Sequence, residues 1–225
     1  LTAAPAHGYW HLLSLPGAAG LALPLLACAA LLLAHHSSDG ARAARRWLLA
    51  AAGAVTLVIA CKIAFYGWGT GIRAWNLTCP SGHAVLALLL WPAFLGLLVP
   101  PHRRAWRALA ITTGVLVGIG CGVSRLMIHA HPLSEVLAGL ALGGLAAVLA
   151  LRAVRGQRLA LRRAAFAAAA VLVLGLGMAV IPIGLQAEHW FAALGARLAG
   201  REQPVQRKAW LLEGRDTPQP AEAAK

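Results

Sequence analysis

The chain predicts an all-α fold, a polytopic membrane helical bundle with about six transmembrane helices. Three observations carry this expectation. Of 225 residues, 60% are hydrophobic and 12% charged, where a soluble domain is about a quarter charged. The apolar runs are continuous, rich in Ala and Leu, and reach the ~20 residues that a helical span requires. They are also too long for the ~10-residue alternating strands of an outer-membrane barrel.

Six segments meet the length: 10–34, 46–68, 82–99, 106–122, 133–151 and 164–185. The first is too long for a signal peptide and lacks a preceding basic region, so it reads as a retained span. The second follows Arg42, Arg45 and Arg46 and runs into the aromatic-glycine stretch Phe65-Tyr66-Gly67-Trp68-Gly69, which reads as an interfacial belt. The third opens at Pro80-Ser81-Gly82, where Ser81 is a helix-cap residue. The fourth follows Arg103 and Arg104, and the fifth follows Pro132, a residue favoured in a first helical turn. The sixth follows Arg162 and Arg163. Together they form a membrane domain over 1–186. The remainder, 187–225, is expected to be an extracytoplasmic tail, with an interfacial helix around 188–198 and a disordered end over 217–225.

Eleven arginines lie in the links between the first and second, third and fourth, and fifth and sixth spans. The positive-inside bias makes that face cytoplasmic. The opposite face receives Arg73, the segment 81–83, Arg125, His131 and Glu135, so the site is expected outside, on the periplasmic side of a bacterial inner membrane. The formal net charge of +13 resides largely in these membrane-flanking loops, where anionic lipid heads are the natural counter-charge. No nucleic-acid module is present. Gly139-x-x-x-Gly143 with Gly114, Gly118 and Gly122 supplies small residues for close helix packing in lipid. Cys28 and Cys61 read as apolar fillers, whereas Cys79 and Cys121 lie near the outer face, where a disulfide is chemically permitted.

Ionisable groups in this setting are functional candidates, because each is costly in a membrane. Glu135 is the only acid between Asp39 and Glu188. It stands four residues after His131, the spacing at which a helical carboxylate can take an imidazole Nδ1–H and leave Nε2 free as a nucleophile. On its own, such a pair is more often a stabilised helix start. At Pro80-Ser81-Gly82-His83, the free N–H groups of a helix start suit a phosphate, and His83 beside them can act as general acid. Arg125 offers a planar fork to phosphate oxygens. Lys62, inside an apolar span, requires a partner or an anion. One acid among scattered histidines makes a poor metal site, and none is expected.

Taken together, Pro80-Ser81-Gly82-His83 and Ser124-Arg125 with His131 and Glu135 downstream resemble the type 2 phosphatidic acid phosphatase superfamily over roughly 62–135. The resemblance implies His131 as a nucleophile forming a phosphohistidine, Glu135 as its orienter and His83 as general acid. It makes Ser81, Gly82 and Arg125 phosphate ligands and implies no metal or other cofactor. The chain departs from the family at two places. Glu135 stands where Asp is usual, and the family's Lys, six residues, Arg-Pro becomes Lys62 followed by Gly69-Thr70, with Arg73 four residues late. Arg73 and Lys62 are therefore both candidate phosphate ligands. The implied activity is hydrolysis of a lipid phosphate or pyrophosphate, with undecaprenyl pyrophosphate or phosphatidic acid as substrate. A lipid phosphotransferase and a non-catalytic lipid-phosphate binding or transport protein are the competing classes. The bundle is compatible with a monomer.

Overall fold

The computed structural model describes residues 6–162 and 183–213, with 165, 166 and 169 between them. It is helical, with no β-strand among the described residues. In chain order the helices are α1 (Ala6–Ser14), α2 (Ala19–Ala34), α3 (Ser38–Trp68), α4 (Gly82–Leu98), α5 (Arg104–Met127), α6 (Leu133–Ala153), α7 (Ile183–Leu198) and α8 (Arg207–Leu212), with 3-10 turns at Leu15–Gly17 and Arg73–Trp75. Segments Gly8–Ala34, Ser38–Trp68, Arg104–Met127 and Leu133–Ala153 are long and apolar enough to cross a membrane, and Gly82–Leu98 is apolar but shorter. The expected sixth span, 164–185, lies almost wholly outside the described residues, as does the tail end 217–225.

Three boundaries differ from expectation, each for a local reason. The first span is not one continuous helix, because Pro16 sits in a 3-10 turn and Ala18 is extended (φ −64°, ψ 128°). Helix α3 starts eight residues before the expected Arg46, at Ser38, because the Ser37 side chain accepts the Gly40 N–H at 3.0 Å and caps it. Its other end is closed by Gly69 in the left-handed region (φ 66°), whose N–H donates to Phe65 O at 2.8 Å. Helix α5 runs on to Met127, so Arg125 belongs to its last turn rather than to the loop after it.

Helix α4 is apolar all round and buried on most of its faces, as a helix at the centre of a bundle should be. It packs chiefly against α5 and α6, with α2 and α3 also in contact. The glycine stripes explain how close these approaches are. A Cβ on Gly114 would lie 2.5 Å from the Pro92 nitrogen, and one on Gly143 would lie 2.9 Å from the Val85 carbonyl oxygen, so α5 and α6 both touch the α4 backbone. The core continues through Leu33, Trp47, Leu89, Leu97 and Ala150, all essentially inaccessible.

Hydrogen bonds place the helix ends. At one end Leu159 N–H donates to Leu97 O at 2.8 Å, and the Arg107 guanidinium donates to the carbonyls of Gln157 (3.0 Å) and Val154 (3.2 Å). That joins the ends of α4, α5 and α6 on the arginine-bearing side, with Arg107 capping carbonyls just past α6. At the opposite end Ser81 N–H donates to Glu135 O at 2.9 Å, which ties the start of α4 to the start of α6. Helix α7 packs along α3, with the two backbones meeting at glycines; a Cβ on Gly67 would stand 2.6 Å from Gly195 O.

Candidate active site

The loop between α3 and α4 is folded by a short bridge, with Ile72 N–H donating to Leu77 O at 2.8 Å and Leu77 N–H to Ile72 O at 3.1 Å. This turn delivers Thr78 and Cys79 to the start of α6. The five-residue link from α5 to α6 is held equally tightly. Ala130 and His131 N–H both donate to Arg125 O, at 3.0 and 3.3 Å, with His129 in the left-handed region (φ 54°). Arg125 and His131 are thereby fixed relative to each other by backbone alone.

At the centre, His131 Nδ1 is 2.6 Å from Glu135 Oε2. The glutamate is completely buried, where an unpaired charge would be very costly. Its second oxygen, Oε1, accepts from Thr78 N–H at 3.1 Å and Cys79 N–H at 3.4 Å, and also from the Thr78 hydroxyl and the Arg207 guanidinium. Arg207 donates to Thr78 Oγ1 as well, at 2.7 Å. With Nδ1 engaged by the carboxylate, Nε2 is the ring nitrogen left for chemistry.

A cavity of about 540 Å³ lies over this dyad, lined by Lys62, Phe65, Tyr66, Thr78, Cys79, Arg125, Ala130, His131, Glu135, Glu188, Pro204, Val205, Gln206 and Arg207. Lys62 pairs with Glu188 of α7, and Tyr66 donates its hydroxyl to the same carboxylate at 3.1 Å. Three fixed cations, Lys62, Arg125 and Arg207, thus face two carboxylates around one imidazole. Cys79 also lines the space, but burial foremost, followed by the Glu135 charge, pushes its thiol upward, so a thiolate is disfavoured there. Cys79 and Cys121 are both free thiols.

The expected site residues divide into three groups. Lys62, Arg125, His131 and Glu135 meet in the cavity. Ser81, Gly82 and His83 lie at the start of α4 and are not among the residues that line the cavity; Ser81 is tied to the dyad through its N–H bond to Glu135 O at 2.9 Å. Two polar atoms here are buried without a partner, Ser81 Oγ and Arg125 Nε. Arg73 is not brought in. It stacks over the Trp210 ring at 5.4 Å and pairs with Glu213 at 3.1 Å, because the 3-10 turn it begins faces α8 rather than the dyad. The aromatic stretch also departs from a simple belt: Phe65 is buried edge-on against Trp210 at 5.5 Å, Tyr66 lines the cavity, and Trp68 alone is largely exposed.

Three contributors were not foreseen, namely Thr78, Glu188 and Arg207. For Glu188 the signal was present, since an apolar-span lysine demands a counter-charge and few acids exist. For Arg207 there was none, because it lies among many tail cations 72 residues from Glu135.

A histidine paired through Nδ1 to a buried carboxylate, faced by lysine and arginine in a helical bundle, has the charge and geometry that suit an anionic group. Residues 61–159, a little under half of the chain, match the PAP2 superfamily. Its members are phosphatases, which supports phosphoester hydrolysis as the chemistry here. A protein of Klebsiella pneumoniae, described as an uncharacterized 22.5 kDa protein in the cps region, is 39% identical over 140 residues, spanning 62% of this chain and 66% of that protein. The match thus spans just under two thirds of that relative. No solved structure matches the chain.

Proposed function

We propose that this protein hydrolyses a lipid phosphate or pyrophosphate without a metal, through a phosphohistidine on His131, at the outer face of the membrane. The observation that carries the reading is the 2.6 Å contact between His131 Nδ1 and Glu135 Oε2 on the wall of a cavity that also holds Lys62 and Arg125. In this reading Nε2 attacks phosphorus, the new P–N bond forms, and the P–O bond to the lipid or to its terminal phosphate breaks. His83 gives the leaving oxygen its proton, then takes one from the water that cleaves the P–N bond and releases inorganic phosphate. The free Ser81 Oγ and Arg125 Nε suit phosphate oxygens.

Membrane placement supports a substrate that keeps its tail in lipid while its head group enters the cavity. The ends of α4, α5 and α6 on the arginine-bearing side lie opposite the site, so the positive-inside bias favours a periplasmic opening. Undecaprenyl pyrophosphate and phosphatidic acid are the substrate classes to try first. The test is phosphate release by the purified protein in detergent with EDTA present, from undecaprenyl pyrophosphate, phosphatidic acid and phosphatidylglycerol phosphate, beside His131→Ala. Release that the substitution abolishes, with an acid-labile phosphoenzyme in the wild type alone, supports the reading. Phosphoryl transfer to a lipid hydroxyl without free phosphate makes the protein a transferase, and silence on every substrate removes the hydrolase reading.

A further inference from the structure

We infer that Arg207, from the C-terminal segment outside the superfamily match, is a positioning residue for the His131–Glu135 dyad. The inference rests on the hydrolase reading above and assigns that same site a component that residues 61–159 do not contain.

The argument begins with the demands of Glu135. Its carboxylate is fully buried, and its hydrogen-bond donors other than His131 are two backbone N–H groups, one hydroxyl and Arg207. Arg207 is the sole permanent positive charge in that set. A carboxylate held on both oxygens cannot rotate, and a guanidinium fixes its partner as well as balancing its charge. Glu135 Oε2 is then committed to His131 Nδ1, which keeps the imidazole in one tautomer and one orientation through attack and phosphohistidine cleavage. Arg207 is also bonded to Thr78 Oγ1 at 2.7 Å, so it locks the donor and acceptor of the neighbouring contact together.

Arg207 is held there by a built dock. Val205 N–H donates to Tyr66 O at 2.8 Å, just ahead of it. Three residues beyond it, Trp210 is 1% exposed, donates its indole N–H to Gly69 O at 2.7 Å and meets Phe65 edge-on. The socket exists because Gly69 and Gly71 lack side chains; a Cβ would stand 3.3 Å and 3.1 Å from the Trp210 ring, respectively. Both glycines also have positive φ, at 66° and 145°, which other residues adopt poorly. Loop and tail are therefore complementary in shape as well as in charge.

The experiment measures kcat and KM of the full-length wild type, Arg207→Ala, Arg207→Lys and Trp210→Ala on undecaprenyl pyrophosphate and phosphatidic acid, with and without added guanidinium ion. Arg207→Ala is expected to lower kcat by about 10- to 100-fold, by analogy with the loss of outer-shell partners that orient metal-ligating histidines, with little change in KM. Arg207→Lys should retain part of the rate, and millimolar guanidinium should raise kcat of Arg207→Ala but not of the wild type. Trp210→Ala should reproduce the kcat loss by undocking the arginine. A kcat within twofold of wild type in both Arg207→Ala and Trp210→Ala overturns the positioning role, as does a loss that neither lysine nor guanidinium relieves. A wild type silent on both lipids overturns the hydrolase reading, and the positioning role with it.

Discussion

Lys62 of α3 and Glu188 of α7 form an ion pair 126 residues apart in sequence, and Tyr66 donates its hydroxyl to the same carboxylate at 3.1 Å. The lysine side chain is only 13% exposed and the glutamate 42%, so water screens one partner and barely reaches the other. Such a pair adds only about 1 kcal/mol to stability, but removing the glutamate alone strands a nearly buried ammonium and costs more. Glu188→Ala should therefore lower the melting temperature in detergent, and Lys62→Met combined with Glu188→Ala should recover most of that loss. A double variant whose loss is the simple sum of the two single losses would show that the residues are not coupled.

The glutamate at 135 is not an interchangeable acid. Its side chain bridges His131 on one oxygen and the Thr78–Cys79 backbone on the other, with contacts of 2.6, 3.1 and 3.4 Å. An aspartate is one methylene shorter and cannot keep both sets, although the resemblance places aspartate at this position. Glu135→Asp is expected to reduce kcat by roughly a factor of ten, and Glu135→Gln by about 10² or more, since the amide presents no charge to the imidazolium. Wild-type turnover by Glu135→Asp would show that the Thr78 contacts are dispensable.

Gly139 connects packing to catalysis directly. A Cβ there would fall 2.7 Å from Ser81 O and 3.1 Å from Ser81 N, whose N–H is bonded to Glu135 O. Those are backbone atoms and cannot swing aside. Gly139→Ala should cost about 1–3 kcal/mol by overpacking and should also slow turnover, because the start of α4 and the start of α6 must separate. Gly144→Ala on the same helix is the control, since its nearest neighbour to a new Cβ is a flexible Leu88 methyl at 3.7 Å. Equal melting temperatures and rates for the two would remove the link.

The parts of the fold that could be read from sequence are those fixed by short-range rules. His131 stands two residues before α6 and Glu135 lies in its first turn, so their contact is local, made across the helix start at the extended Pro132. The glycines of α5 and α6 announce close packing, and it occurs where α4 passes. The boundaries were missed where a single side chain or turn decides them, as with the Ser37 cap and the Pro16 turn. The tail contacts were missed for a different reason. Glu188 and Arg207 reach the site only after α7 has packed along α3, and no local pattern in 187–213 marks which of its charges will be buried. Arg73 shows the converse, since proximity in sequence to Lys62 suggested a phosphate ligand while the turn directs it to Trp210 and Glu213.

Gly69 offers the sharpest test of how the chain differs from the pattern it resembles, which has arginine at this position. Restoring it by Gly69→Arg places a branched backbone at φ 66°, a conformation that costs an L-residue about 1–2 kcal/mol. It also drives a Cβ to 3.3 Å from Trp210, whose ring is already confined by Gly71 and Phe65. The tryptophan ring must therefore give by a few tenths of an ångström, which loosens the seat of the segment that carries Arg207. Gly69→Arg should lower both the melting temperature and kcat, and limited proteolysis should cut the loosened tail sooner. An increase in kcat/KM with the tail still protected would mean that loop and tail arginines act together, and the close fit between Gly69 and Trp210 would then be dispensable.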